Sequence, residues 1–123
     1  FIMRRTIVQV DYLNEKEVAV EKVASTVVID GYDIHRLGNL IFCNINFHFT
    51  ATTAIAAKAG WFKISGIPQC ACAEQNTEVI GRTKNAELYL GSYVNEGYTL
   101  MSAVAFNPVI GEKLTCQLIY GVK

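Results

Sequence analysis

The stretch Leu40-Ile41-Phe42-Cys43-Asn44-Ile45-Asn46-Phe47-His48-Phe49 constrains this chain more than any other. Ile41, Cys43, Ile45, Phe47 and Phe49 fall on one side of a period of two, and Asn44, Asn46 and His48 on the other. A helix would scatter these residues around its axis. A strand with one buried face needs this alternation. The preceding Leu37-Gly38-Asn39-Leu40 reads as a reversal, so the strand is the second arm of a hairpin. The alternating face should be core, and Asn44, Asn46 and His48 should lie on the outer or subunit-facing side.

The rest of the chain repeats the pattern less clearly. Thr6, Val8, Val10 and Tyr12 alternate weakly. Residues 15–24 fit neither period and read as a short strand or irregular connector, with a helical turn as the alternative. A β run opens at Thr26, and Asp30-Gly31 marks a turn or bulge within it. Residues 51–59 are small and apolar, which allows one helical turn, although nine residues are short for a stable helix. Trp61 to Ile67 forms the next strand, with Phe62 and Ile64 inward, and Cys70 and Cys72 follow Pro68 on a short strand. Val79 and Ile80 precede a turn at Gly81, and residues 87–90 form a strand closed by Gly91. Residues 98–106 are expected as a strand with Leu100, Val104 and Phe106 on one face, broken at Asn107-Pro108. After a turn at Gly111-Glu112-Lys113, the last strand turns Leu114, Cys116, Leu118, Tyr120 and Val122 inward.

These are about seven to nine strands at short intervals with no crossover helix, which makes the fold class all-β: an antiparallel β-sandwich or jelly roll. Residues 1–25 are expected as an N-terminal connector or neck and 26–123 as the sandwich domain. Phe1 at the start points to a piece of a longer polypeptide.

Composition narrows the function classes. Charged residues make up 18% of the chain, against about a quarter in average soluble domains. That deficit points to surface covered by identical subunits. Eleven basic and eleven acidic residues cancel and leave no basic stripe, so the footprint of a nucleic-acid binder is missing. No apolar run approaches the ~18 residues that announce a membrane-spanning helix, so membrane insertion is not expected.

Candidate chemistry is sparse. His35 and His48 are the sole histidines, and neither has an acidic residue at a recognisable catalytic spacing. Asp33 and His35 should share a strand face. Cys70-Ala71-Cys72 lacks the second pair that a structural zinc site requires. Cys43, Cys70, Cys72 and Cys116 therefore read as reduced thiols acting as small hydrophobes, with Cys43 and Cys116 near each other in the core. The acidic pairs Glu15 with Glu17 and Glu74 with Glu78 read as solvated faces rather than a glycosidase pair. No cofactor, metal or catalytic set is expected. Aromatics near turns offer the best binding handle: Trp61, Tyr89, Tyr93 and Tyr98 can stack on sugars or anchor an interface. Tyr89 should point away from the Leu88 and Leu90 face.

Three segments together resemble a known family. They are the Gly-Asn turn and strand Leu37-Gly38-Asn39-Leu40-Ile41-Phe42, the link Thr52-Thr53-Ala54-Ile55-Ala56 leading to Trp61-Phe62-Lys63-Ile64-Ser65-Gly66-Ile67-Pro68, and the closing strand over 114–123. Residues 26–123 resemble the C-terminal β-sandwich of phage tail-fibre and baseplate receptor-binding proteins. Gln69-Cys70 departs from the aromatic-Arg-Pro segment usual near the first proline in that family. The resemblance implies a homotrimer in a virion or encoded by a prophage, joined to other tail or baseplate proteins and binding bacterial cell-surface polysaccharide. The family's binding residues vary, so none is carried over. Tyr89, Tyr93, Asn95 and Tyr98 are chosen as ligand-binding candidates from their residue types and positions. The alternatives are a trimerisation or capping domain without a ligand, and a polysaccharide-degrading domain.

Overall fold

The computed structural model describes residues 10–12, 18–71, 80–82 and 86–123. Among them are nine strands and no helix: β1 (Val10–Tyr12), β2 (Ala19–Lys22), β3 (Val27–Leu37), β4 (Leu40–Phe49), β5 (Gly60–Ser65), β6 (Ile80–Arg82), β7 (Glu87–Leu90), β8 (Gly97–Ser102) and β9 (Leu114–Gly121). The strand order is β1-β3-β4-β9-β6-β7-β8-β5-β2, antiparallel throughout. A single rung, Arg82 opposite Gln117, joins β6 to β9. The order therefore divides there into two sheets, β1-β3-β4-β9 and β6-β7-β8-β5-β2, packed face to face as a β-sandwich. The pairs β4 with β9, β5 with β8 and β6 with β7 are nested one inside another, a jelly-roll-like arrangement.

The alternation over residues 41–49 holds residue by residue. Ile41, Cys43, Ile45, Phe47 and Phe49 are all buried, and Asn44, Asn46 and His48 face outward. Leu114, Cys116, Leu118 and Tyr120 of β9 are buried beside them. Aromatic rings join the two sheets: Phe47 meets Trp61 at 6.2 Å and Phe62 at 5.3 Å between ring centroids. Trp61 continues to Phe49 at 5.4 Å and Phe106 at 4.7 Å.

The hairpin between β3 and β4 turns at Gly38 and Asn39, with Gly38 at φ +60°. That left-handed backbone suits glycine, which has no Cβ to clash. Asp30-Gly31 is a bulge, because the register slips between Ile29 and Gly31. The extra residue changes which side chains point inward. Val27 and Ile29 precede it on the inner face, and Tyr32 and Ile34 follow it there. A regular strand would have put Asp33 in the core.

Several expectations need correction. Gly81 is not a turn but the middle of β6, paired with Leu88 of β7. Residues 51–59 contain no helical turn; Ile55 instead bridges Phe106, with both backbone bonds at 2.9 Å. The strand expected over 98–106 stops at Ser102, and Val104 is 69% exposed rather than inward. The Ser102 hydroxyl accepts a bond from the Val104 amide, which turns the chain off the sheet. Within residues 15–24, Ala19–Lys22 is a strand paired with β5, and residues 15–17 lie outside the described residues. The segment 1–25 is thus no separate neck where it is described: β1 and β2 are the two edge strands, and Val18 is in the core. Residues 6–9 and Cys72 lie outside the described residues.

The cysteines divide in two. Cys70 is disulfide-bonded, which overturns its reading as a free thiol. Cys43 and Cys116 are free, buried and diagonal to each other on neighbouring strands, two positions out of register. Burial pushes both thiols up to about 12, with their mutual repulsion adding at Cys43. The thiolate is the reactive form. In the native protein at pH 8, Cys43 and Cys116 should resist alkylation by iodoacetamide, and both should label in denaturant. Peptide mass spectrometry after each treatment checks this, and rapid native labelling at either position would contradict it.

Candidate functional site

The sandwich brings Tyr93, Asn95 and Tyr98 to one end, where the β7–β8 hairpin meets the connector after β5. The hairpin closes on a two-residue turn. Val94 and Gly97 exchange two backbone bonds of 3.1 Å, leaving Asn95 and Glu96 at the tip. Both tip residues are left-handed, with φ of 50° and 58°. This backbone fits the twist of the flanking strands, and its usual sequence is Asn-Gly.

Tyr93, Tyr98 and Tyr120 form a chain of rings behind that turn, with centroids 4.8 Å and 6.3 Å apart in that order. Each phenol oxygen reaches the backbone of the connector. Tyr93 donates to the Ile67 carbonyl at 2.6 Å, and Tyr120 donates to the Pro68 carbonyl at 2.7 Å. The Cys70 amide donates to the Tyr98 oxygen at 2.9 Å. The carbonyl of Glu96 accepts from Gly66 and Ile67, and the Ala71 amide donates to Gly121. Seen from the connector, residues 66–71 are fixed by three tyrosines, the hairpin tip and the end of β9. Burial raises the Tyr120 phenol far above its ordinary value. It also raises Tyr93, with the nearby Glu96 carboxylate adding to the effect.

This geometry separates the four candidates. Asn95 is exposed at the tip, and Tyr93 is half-buried beside it. Tyr89 is half-buried on the outer face of β7, opposite the buried Leu88 and Leu90 as the alternation requires. Tyr98 is only 6% exposed, so its ring is not an accessible stacking surface; it braces Tyr93 and the connector. Trp61, also read as a surface handle, is fully buried. Its neighbours on both sides of the chain, Gly60 and Phe62, gave no sign that the ring itself would point inward.

Tyr120 was legible as core but not as a clamp. Replacing it with Phe should remove only the hydroxyl and leave the Pro68 carbonyl without that donor. The expected loss is about 1–3 kcal/mol, the cost of a buried polar group left unpaired. Urea denaturation of Tyr120→Phe measures it, and an unchanged midpoint would show that the clamp contributes nothing.

A second polar cluster lies elsewhere, on the outer face of β3 and β4. The bulge brings Asp30 to His48, with Oδ2 and Nδ1 2.8 Å apart, and Lys113 Nζ lies 3.4 Å from the same oxygen. The His48 bond holds the Asp30 carboxyl below its ordinary value. This pairing spans eighteen positions, so sequence spacing concealed it. A histidine–carboxylate pair becomes a catalytic device when the other ring nitrogen meets a nucleophile. Among the described residues no hydrogen bond joins Nε2 of His48 to one. Asp33 and His35 do share a face, at 3.9 Å, where His35 stacks on Phe42. Among the described residues no three His, Cys, Asp or Glu side chains gather as metal ligands.

Comparison of the chain with protein families, with characterised proteins and with solved structures finds no match.

Proposed function

We propose that this chain is a non-enzymatic β-sandwich module of a phage tail fibre or baseplate, working within a homotrimer that binds bacterial surface polysaccharide. The observation that carries the reading is the fixed tip at residues 94–96. It presents an exposed amide and a carboxylate beside the half-buried Tyr93 ring on a backbone held by hydrogen bonds. Sugar recognition uses this combination: an aromatic face for the ring carbons and polar groups for the hydroxyls. Rigid mounting favours affinity, because little ordering remains to be done on binding.

The trimer is supported by the outer face of β3, β4 and β9. Leu40 is 44% and Ile119 56% exposed there, with Phe42 half-buried between β3 and β9. Asn44, Asn46, Thr115 and Gln117 continue that face, and Thr115 donates to Asn46 at 2.7 Å. A surface of this kind, apolar at one end and amide-rich in the middle, suits contact with another subunit. The same partners then follow as in the resemblance: other tail or baseplate proteins, in a virion or encoded by a prophage.

The inward hydroxyls of Tyr93 and Tyr98 favour a second reading, in which the module only trimerises or caps and binds no ligand. One experiment separates the two. Light scattering reports the oligomer, and binding of the same sample to immobilised bacterial polysaccharides reports the ligand. A trimer that binds supports the proposal. A trimer that binds nothing supports the capping domain, and a monomer removes the trimer from both. Shortening of the polysaccharide during the assay would instead make the chain a depolymerase.

A further inference from the structure

The tip of the β7–β8 hairpin contains a residue that the fold does not ask for. A two-residue turn of this hand is ordinarily closed by glycine in the second position, where a side chain is disfavoured. Here that position is Glu96, at φ 58°. Its carbonyl is used twice: it accepts from the Gly66 amide at 2.8 Å and the Ile67 amide at 3.2 Å. Its side chain is not. The carboxylate is exposed, and among the described residues it makes no ion pair and no hydrogen bond. A residue that strains the backbone and whose side chain supports nothing in the fold has the signature of a functional position.

The surroundings specify what the carboxylate could meet. Gly97 allows the turn to sit flat against β5; a Cβ there would lie 2.6 Å from the Ile64 carbonyl oxygen. Asn95 is also left-handed and exposed, and its side chain makes no hydrogen bond among the described residues. Val94, 55% exposed, gives the tip an apolar flank. The two consecutive left-handed residues fix where the Asn95 amide and the Glu96 carboxylate leave the backbone.

Resting on the glycan-binding reading, we infer that Glu96 is the specificity-determining residue of the tip and selects neutral over acidic polysaccharide. An ionised carboxylate only accepts hydrogen bonds, and its two oxygens can take hydrogens from two neighbouring sugar hydroxyls. The Asn95 amide supplies both a donor and an acceptor beside it. A uronate or phosphate group brought to the same place would meet like charge, which disfavours it strongly once water is excluded. The tip therefore takes polyhydroxylated, uncharged sugar units.

The test uses the full chain and an array of purified polysaccharides, some neutral O-antigens and some uronate-rich capsules. Wild type should retain neutral polymers and pass over the acidic ones. Glu96→Gly should relieve the backbone, raising Tm by about 3–5 °C, while weakening neutral-polymer binding roughly tenfold or more. A loss of binding in a protein that has become more stable cannot be assigned to misfolding. Glu96→Gln, which keeps the shape and the strain, should lose the discrimination against acidic polymers. If wild type binds a polysaccharide and both variants bind it with unchanged affinity and selectivity, the role of Glu96 is overturned while the glycan reading stands. If wild type binds none of the polymers, the glycan reading itself fails and this inference with it.

Discussion

Trp61→Ala should destabilise the domain by about 3–5 kcal/mol, the range for removing a large aromatic from a packed core. The indole is fully buried at the contact between the sheets, with Phe47, Phe49 and Phe106 around it. Its loss opens a cavity that the surroundings cannot readily close, because Phe47 and Phe49 are fixed on β4 and Phe106 by its bridge to Ile55. Native domains are stable by only about 5–15 kcal/mol, so the variant should unfold at markedly lower denaturant concentration. Trp61→Phe provides the contrast. The indole N–H has no hydrogen-bond partner among the described residues, so its removal forfeits no bond and the expected cost is about 1–2 kcal/mol for lost volume. Trp61 is the sole tryptophan, so far-UV circular dichroism is the suitable probe of both transitions. Equal losses for the two variants would mean that the ring does not pack where the two sheets meet.

Gly97→Ala should cost about 1–3 kcal/mol through overpacking. The added methyl would sit 2.6 Å from the Ile64 carbonyl oxygen, 3.1 Å from Ser65 Cα and 3.2 Å from Lys63 Cε. The lysine can swing away, but the first two contacts are backbone of the paired strand β5. Relief therefore requires β8 to separate from β5, and with it the tip whose carbonyl holds residues 66 and 67. Gly31→Ala is the control, since a Cβ there meets nothing within 4 Å. Its expected effect is about 0.5 kcal/mol or less. Urea midpoints of the two variants make the comparison, and a Gly97→Ala protein as stable as wild type would show that the hairpin is not seated against β5.

The sandwich was legible where one strand face differs sharply from the other. In residues 41–49 and 114–120 every second residue is apolar, and only Phe42 and Ile119 put apolar side chains on the other face, so both strands and their inward sets could be read directly. Asp30-Gly31 was legible as an irregularity, because Val27 and Ile29 fall out of phase with Tyr32 and Ile34. Short strands were not: Gly81 looks like a turn until pairing places Leu88 opposite it and Gln117 opposite Arg82. Val104 failed for a related reason, since its residue type suits a strand but the chain has already left the sheet.

The candidate site was legible only as residue types near a turn. Asn95 sits at the tip and Tyr93 beside it, but the tyrosines act on backbone carbonyls and an amide 26 to 52 positions away. A main-chain group leaves no mark in a sequence, so no spacing could announce the clamp. Glu96 was overlooked for the opposite reason. A carboxylate in a polar loop is ordinary by composition, and only its left-handed backbone sets it apart.

A module that works as proposed, binding bacterial polysaccharide without cutting it, should hold the polymer and leave its length unchanged. The most direct measurement is incubation of the full chain with purified surface polysaccharides of candidate hosts, followed by both retention and polymer length. The expected result is a retained complex with neutral polymer, unchanged polymer length, and reduced retention for Glu96→Gly. Absence of retention for every polymer, or a fall in polymer length, would contradict it.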